Sequence, residues 1–153
     1  MSATETPYAS VQDMLDRFGK SELTGLTDPG RNAIVDDALV ERALADAKGL
    51  MDAAITDRLP PQGFAIGAVP PLLTRLAADI ARYLLHDDRA PKAVRQRYED
   101  AMDLLARIGR GELAVTDENG APVGAEGSVG DDNAGPRHAA PPRIFTLDSL
   151  KEV

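Results

Sequence analysis

The sequence predicts an all-α fold: a small helical bundle over residues 8–110, then an extended, partly disordered C-terminal arm over residues 111–153. Three observations carry this expectation. Apolar residues recur at three- and four-residue steps through successive segments up to Ile108, the spacing of one helix face. Aromatic residues make up only 4% of the chain and Trp is absent, so the core must come from Leu, Ile, Val, Ala and Met, a palette suited to helix-on-helix packing. From Gly111 onward Gly, Pro and polar residues take over, and bulky apolar residues nearly vanish after Val115.

The first helix is expected to begin at Ser10, whose hydroxyl can cap free N–H groups, with Asp13 near the positive end of the helix dipole. Val11, Met14, Leu15 and Phe18 form its apolar face and Gly19 ends it. Ser21–Leu26 allows one more helical turn, and Thr27-Asp-Pro-Gly30 is a turn signal. A long helix is expected from about Val35 to Arg58, with a stripe running from Ile34 and Val35 through Leu39, Leu44, Leu50, Met51 and Ile55. Asp36 and Asp37 suit its first turn. Gly49 lies inside it at a cost on the order of 1 kcal/mol against Ala, which points to close approach of a neighbouring helix.

Leu59-Pro-Pro-Gln-Gly63 stops that helix, and Phe64–Val69 is a short apolar linker. The next helix, from Pro70-Pro71 to about Asp87, is the most apolar stretch of the chain. Proline at a helix start presets φ where N–H groups have no internal partner. Leu72, Leu73, Leu76, Ala77, Ile80, Ala81, Leu84 and Leu85 make a stripe wider than a surface helix needs, so this helix belongs in the middle of the bundle. Thr74, Arg75, Asp79 and Arg82 interrupt the stripe, roughly on one side. A last helix restarts at Ala90-Pro91, with Val94, Tyr98, Ala101, Leu105 and Ile108 as its seam and charged residues opposite. Gly109 and Gly111 end it. Asp117-Glu-Asn-Gly120 can turn a weak hairpin, but the shortage of apolar surface in this region favours a mobile arm. The chain closes on Pro142-Arg-Ile-Phe-Thr-Leu-Asp-Ser-Leu150, an apolar hook of Ile144, Phe145, Leu147 and Leu150 on a long polar tether.

A chain of 153 residues, 43% hydrophobic, can form one domain with a compact core. Its formal net charge of -8 argues against nonspecific nucleic-acid binding and against docking on anionic lipid. There is no cysteine, which excludes disulfides, thiolate zinc sites and cysteine nucleophiles and leaves the compartment undecided. The N-terminus has no secretion signal and no apolar run is long enough to span a bilayer, so the expectation is a soluble protein acting where it is made.

Chemistry-bearing motifs are sparse. The only histidines are His86 and His138. His86-Asp-Asp88 reads as the solvated end of a helix rather than a metal site, because neighbouring side chains on a helix point different ways. His138 has no evident partner. No nucleophile elbow, phosphate loop or dinucleotide fingerprint is present. The carboxylates read as solubilising surface. Arg95, Arg97, Arg107 and Arg110 give the last helix a basic side that Glu99, Asp100 and Asp103 dilute. The expectation is a protein that is not an enzyme and takes no metal or cofactor. The hook stands out, and two readings of it remain open: capping of its own bundle, or docking on a neighbouring subunit through an aromatic anchor.

Five blocks of the sequence resemble one family. Tyr8-Ala-Ser-Val-Gln-Asp-Met-Leu-Asp-Arg-Phe-Gly19 looks like the opening of the Mu-like prophage head–tail connector (adaptor) family, and Val40-Glu-Arg-Ala-Leu-Ala-Asp-Ala47 looks like its second block. Val69–Leu85 resembles its most distinctive block, Arg97-Tyr-Glu-Asp-Ala101 the next, and Arg143–Leu150 its C-terminal signature. The specificity lies in all five occurring in order; Phe64–Val69 departs from the Tyr- or Pro-containing turn more typical there. The resemblance implies a helical structural protein of a tailed phage or prophage virion, made in host cytoplasm. It would assemble as a ring of its own copies between the portal and tail-completion proteins, with DNA passing through unbound. Acidic helix faces would suit the lining of such a passage, where cations would hold phosphate. Ring formation needs a heterologous interface that closes, and an exchanged hook would supply one. A competing reading is a small helical regulatory module of prophage origin that binds a partner protein as a monomer or dimer. A small hydrolase would need convergent polar groups that the sequence does not display.

Overall fold

The computed structural model describes residues 7–28, 30, 33–60, 63–64 and 67–123. Its described part is all-α, with five α-helices and a minimal two-stranded hairpin: α1 Val11–Phe18, α2 Lys20–Thr27, α3 Asp37–Ile55, α4 Pro71–His86, α5 Lys92–Gly109, β1 Val115–Thr116 and β2 Pro122–Val123. Single 3₁₀ turns follow α3 (Thr56–Arg58) and α4 (Asp87–Arg89).

Local chemistry sets the ends. Ser10 caps α1 in a full capping box with Asp13: the Ser10 hydroxyl accepts from the Asp13 N–H at 3.2 Å, and the Asp13 carboxylate accepts the Ser10 N–H at 2.7 Å. Gly19, at φ +82°, ends α1 and begins α2, which is longer than the single turn expected. Thr27, expected in a turn, is the buried last residue of α2. Its hydroxyl donates to the Leu23 carbonyl at 2.8 Å and accepts the Asp36 N–H at 3.0 Å, clasping the connection to α3. Asp36 is the N-cap of α3 rather than part of its first turn, and accepts the Leu39 N–H at 3.2 Å. Ile34 lies outside the apolar stripe and is 67% exposed.

The helix α4 is the centre of the bundle. Residues 76–81 are six consecutive buried positions, which a helix shows only when neighbours cover every side. It packs against α3, α5, α1 and α2. Ala77, Ala78 and Ala81 keep its girth small, so α3 and α5 come close on either side. Met51 and Ile55 of α3, Leu73 and Ile80 of α4, and Leu105 and Ile108 of α5 are all buried in one continuous core.

The close approach expected at Gly49 occurs elsewhere. A Cβ on Gly49 would meet nothing within 4 Å, whereas one on Gly109 would lie 2.4 Å from the carbonyl oxygen of Ala54. Gly109 therefore lets the end of α5 pass against the end of α3. The Arg58 guanidinium clamps the same place by donating to the Gly109 carbonyl at 3.1 Å. Beyond it the chain forms the hairpin that ranked below a mobile arm in the sequence. Val115 pairs with Val123 and is buried in the bundle's core. The Asp117 carboxylate accepts the N–H groups of Asn119 and Ala121, both at 2.8 Å, which fixes the turn. One buried valine and an Asx turn hold residues that composition alone assigns to the arm. The rest of the arm, including His138, lies outside the described residues.

These two glycines give opposite expectations. Gly109→Ala drives a methyl into backbone and should cost about 1–3 kcal/mol. Gly49→Ala, in open helix, should stabilise by on the order of 1 kcal/mol. Thermal unfolding followed by circular dichroism checks both; equal shifts for the two would show that the α3–α5 contact is misplaced.

Candidate functional site

The polar residues of α4 recur as Arg75, Asp79, Arg82 and His86, at steps of four, three and four, which puts them in one line along the helix. Arg75 at its start is exposed, but its later half, Arg82 and His86, is where α1 and α2 dock. Arg82 donates to both oxygens of Glu22 on α2, from Nε at 2.5 Å and from Nη2 at 2.9 Å. The Arg82 guanidinium also lies over the Phe18 ring of α1, 4.6 Å from its centroid. One arginine thus ties both short helices to the central one. The pair is half-buried, with side chains 18% and 29% exposed, where a two-pronged bond to a carboxylate is stronger than on open surface.

His86 closes the line. Its Nε2 sits 3.6 Å from the Glu22 carboxylate, and the imidazole is largely covered instead of solvated; Asp87 and Asp88 beside it are exposed, as a helix end predicts. Asp87 takes a positive φ of 52°, which turns the chain out of α4 toward α5.

Asp79 is the unusual member. It is 7% exposed, and its nearest cation, Arg75, stands 3.8 Å away. Burial pushes its carboxyl above the ordinary value of 3.8, against the opposing pull of Arg97, Arg75, Arg17 and Arg82. The sequence reading left Asp79 on a polar side and treated carboxylates as solubilising. The four-three-four spacing with Arg82 and His86 was the signal that this side meets another element.

Asp79 borders a small open cleft between α4 and α5, with Arg75, Leu76, Arg97, Asp100, Ala101 and Leu104. Its free volume of about 30 Å³ admits a water or two, not an organic ligand. Next to it Tyr83 and Tyr98 stack at 4.1 Å between centroids, which adds area to the α4–α5 seam. The basic side expected on α5 is largely spoken for: Arg97 acts on Asp79, and Arg107 and Arg110 both face Glu112, the latter with bonds at 2.6 and 3.1 Å.

A second polar cluster fastens the N-terminal segment to α3. The Tyr8 hydroxyl donates to Asp52, which also takes the Lys48 ammonium at 2.5 Å, and the Tyr8 ring meets Phe64 edge-on at 6.4 Å. Among the described residues no group of three metal-ligating side chains converges, and no helix is long and apolar enough to cross a membrane. Arg82 with Glu22 joins separate helices, whereas Lys48–Asp52, Arg75–Asp79 and Arg110–Glu112 are local pairs. Exposed apolar bulk lies at α3. Ile34, just before it, and Leu50, 38% exposed within it, are the exposed large hydrophobic residues of the described structure. The hook residues Ile144, Phe145, Leu147 and Leu150 lie outside the described residues.

The chain matches the family described as Bacteriophage Mu, Gp36, over residues 8–130. It is 31% identical over 133 residues to the Mu-like prophage FluMu protein gp36 of Haemophilus influenzae, an alignment that covers 80% of this chain and 91% of that protein. It is also 31% identical over 108 residues to gene product J of Escherichia phage Mu, covering 69% of this chain and 73% of that one.

Two variants test the docking line. Arg82→Met keeps the stem but strands Glu22, and should cost about 1–3 kcal/mol with faster hydrogen exchange across residues 11–27. Unchanged exchange there would show that the pair does not hold α1 and α2. For Asp79 the sign follows from linkage. With its folded value raised, the group's favourable contribution is complete below its ordinary value and is lost as pH climbs through the raised one. Asp79→Asn should therefore raise the melting temperature at pH 7, with the gain shrinking as pH falls toward 4. A loss of stability at pH 7 would mean that the arginines outweigh burial.

Proposed function

Because the chain belongs to the Bacteriophage Mu, Gp36, family, we propose that it is a structural protein of a phage or prophage particle, a head–tail connector that oligomerises between portal and tail during assembly. Copies made in host cytoplasm close into a ring, the ring meets portal and tail-completion proteins, and DNA passes through it without specific binding. The protein contributes shape and contact, not catalysis.

The observation that supports this most is the placement of charge in the bundle. Glu22 and Arg82 tie α2 to α4, and Asp52 ties the N-terminal segment to α3, while Ile34 and Leu50 are left exposed. A chain organised in this way suits a rigid unit of an assembly. The acid excess of the whole chain, with net charge -8, suits a passage through which phosphate must slide rather than bind. The C-terminal hook supplies the means of linking copies, since a contact between unlike surfaces closes into a ring when its rotation permits.

The alternative, a helical module of prophage origin that binds a regulatory partner, gives a monomer or dimer. Light scattering under assembly conditions separates the two. The full chain should form a closed multimer, visible as rings by negative-stain electron microscopy, and a variant ending at Pro141 should remain small. A full chain that stays monomeric or dimeric favours the module, and an unchanged multimer after truncation would remove the hook from the interface.

A further inference from the structure

We propose that the cleft between α4 and α5 is a binding site for an ordered water, which donates to Asp79 and joins it to the arginines on the cleft's rim.

The case starts from Asp79. Its side chain is 9% exposed, and among the described residues nothing donates a hydrogen bond to it. Arg75 Nε, at 3.8 Å, stands beyond hydrogen-bond reach. A carboxylate covered to this degree ordinarily accepts from a donor, because a bare one bears the full cost of lost hydration. Packing does not take up the space beside it: the cleft of about 30 Å³ opens there. That is room for water and too little for an organic molecule.

The lining selects the occupant. Leu76, Ala101 and Leu104 supply apolar walls. The polar groups are Asp79 and Asp100 against Arg75 and Arg97, two negative charges and two positive. Such a balance favours neither an anion nor a cation, and among the described residues no three metal-ligating side chains converge. Water serves both signs, since it donates to a carboxylate and accepts from a guanidinium. Two groups 3.8 Å apart can each lie at ordinary hydrogen-bond distance from one water between them. The place matters to the fold. Asp79 belongs to the enclosed stretch 76–81 of α4, and among the described residues no side-chain hydrogen bond joins α4 to α5. The water is the polar tie across that seam, beside the stacked Tyr83 and Tyr98.

Oxygen-17 relaxation dispersion of the full chain counts the waters that stay longer than the protein takes to tumble. Asp79→Leu removes the acceptor and fills the space, and should hold at least one long-lived water fewer than the unmodified chain. Asp79→Asn keeps an acceptor and should hold the same number. Equal counts for the unmodified chain and Asp79→Leu overturn the site. A second measurement needs no variant. Cross-relaxation between water and the Ala101 methyl should carry the sign of a bound water, while the Ala45 methyl, on the exposed side of α3, gives the sign of passing solvent. Passing-solvent signs at both methyls overturn the proposal. A sodium chloride titration followed by amide shifts separates water from an ion. Leu76, Asp79 and Ala101 should show no saturating shift, and saturation there assigns the cleft to an ion and overturns the water.

Discussion

The enclosure of α4 is the constraint on which the rest of the molecule depends. A 16-residue helix whose middle, residues 76–81, is buried on all sides has to present something acceptable to each neighbour, and it does so by dividing its circumference. Leucine, isoleucine and alanine meet α3 and α5. Arg82 and His86 meet Glu22 of α2, Arg82 meets Phe18 of α1, and Arg75 and Asp79 border the cleft toward α5. The small residues matter as much as the large ones. Ala77, Ala78 and Ala81 lower the distance at which helices can pack, just as Gly109 does at the α3–α5 end. Without them the same count of leucines would leave voids or push the neighbours apart, and either is costly in an interior packed to crystal density.

That division also explains what the charges are for. In a small helical protein with little aromatic area, the short N-terminal helices each bury one large apolar side chain completely, Met14 in α1 and Leu23 in α2. Arg82 adds two kinds of contact at once, a forked bond to Glu22 and a stacked one on Phe18. Asp79 is the cost of running a polar line through a covered position, since its carboxyl is held above the ordinary range by burial. The bundle that results uses a few of its charges between elements and leaves the rest on its surface, where Ile34 and Leu50 are the exposed large apolar side chains of the described residues.

Much of this was legible in the sequence. Hydrophobic periodicity located α1, α3, α4 and α5, with α2 read only as a single turn; Ser10 with Asp13 announced a cap that forms as expected, and the breadth of the apolar stripe placed α4 at the centre. The misreadings have physical causes. Gly49 and Gly109 look alike in sequence, and only the crossing of α3 and α5 decides which one needs to be glycine. Thr27 looked like turn chemistry, but the same hydroxyl serves equally well to clasp two helices. The partners Glu22 and Arg82 are 60 residues apart, a separation over which spacing carries no information. The hairpin depends on a single buried valine, too little apolar signal for composition to register.

Native-state hydrogen exchange of the full chain tests the central role of α4 most directly. If that helix is the enclosed element on which the others pack, the amides of Leu76–Ala81 exchange only through global unfolding, and they are the slowest in the protein. α1 and α2 open first. If instead α4 exchanges as fast as α1 and α2 while α3 and α5 stay protected, the bundle is held by an α3–α5 pair and the enclosure described here is contradicted.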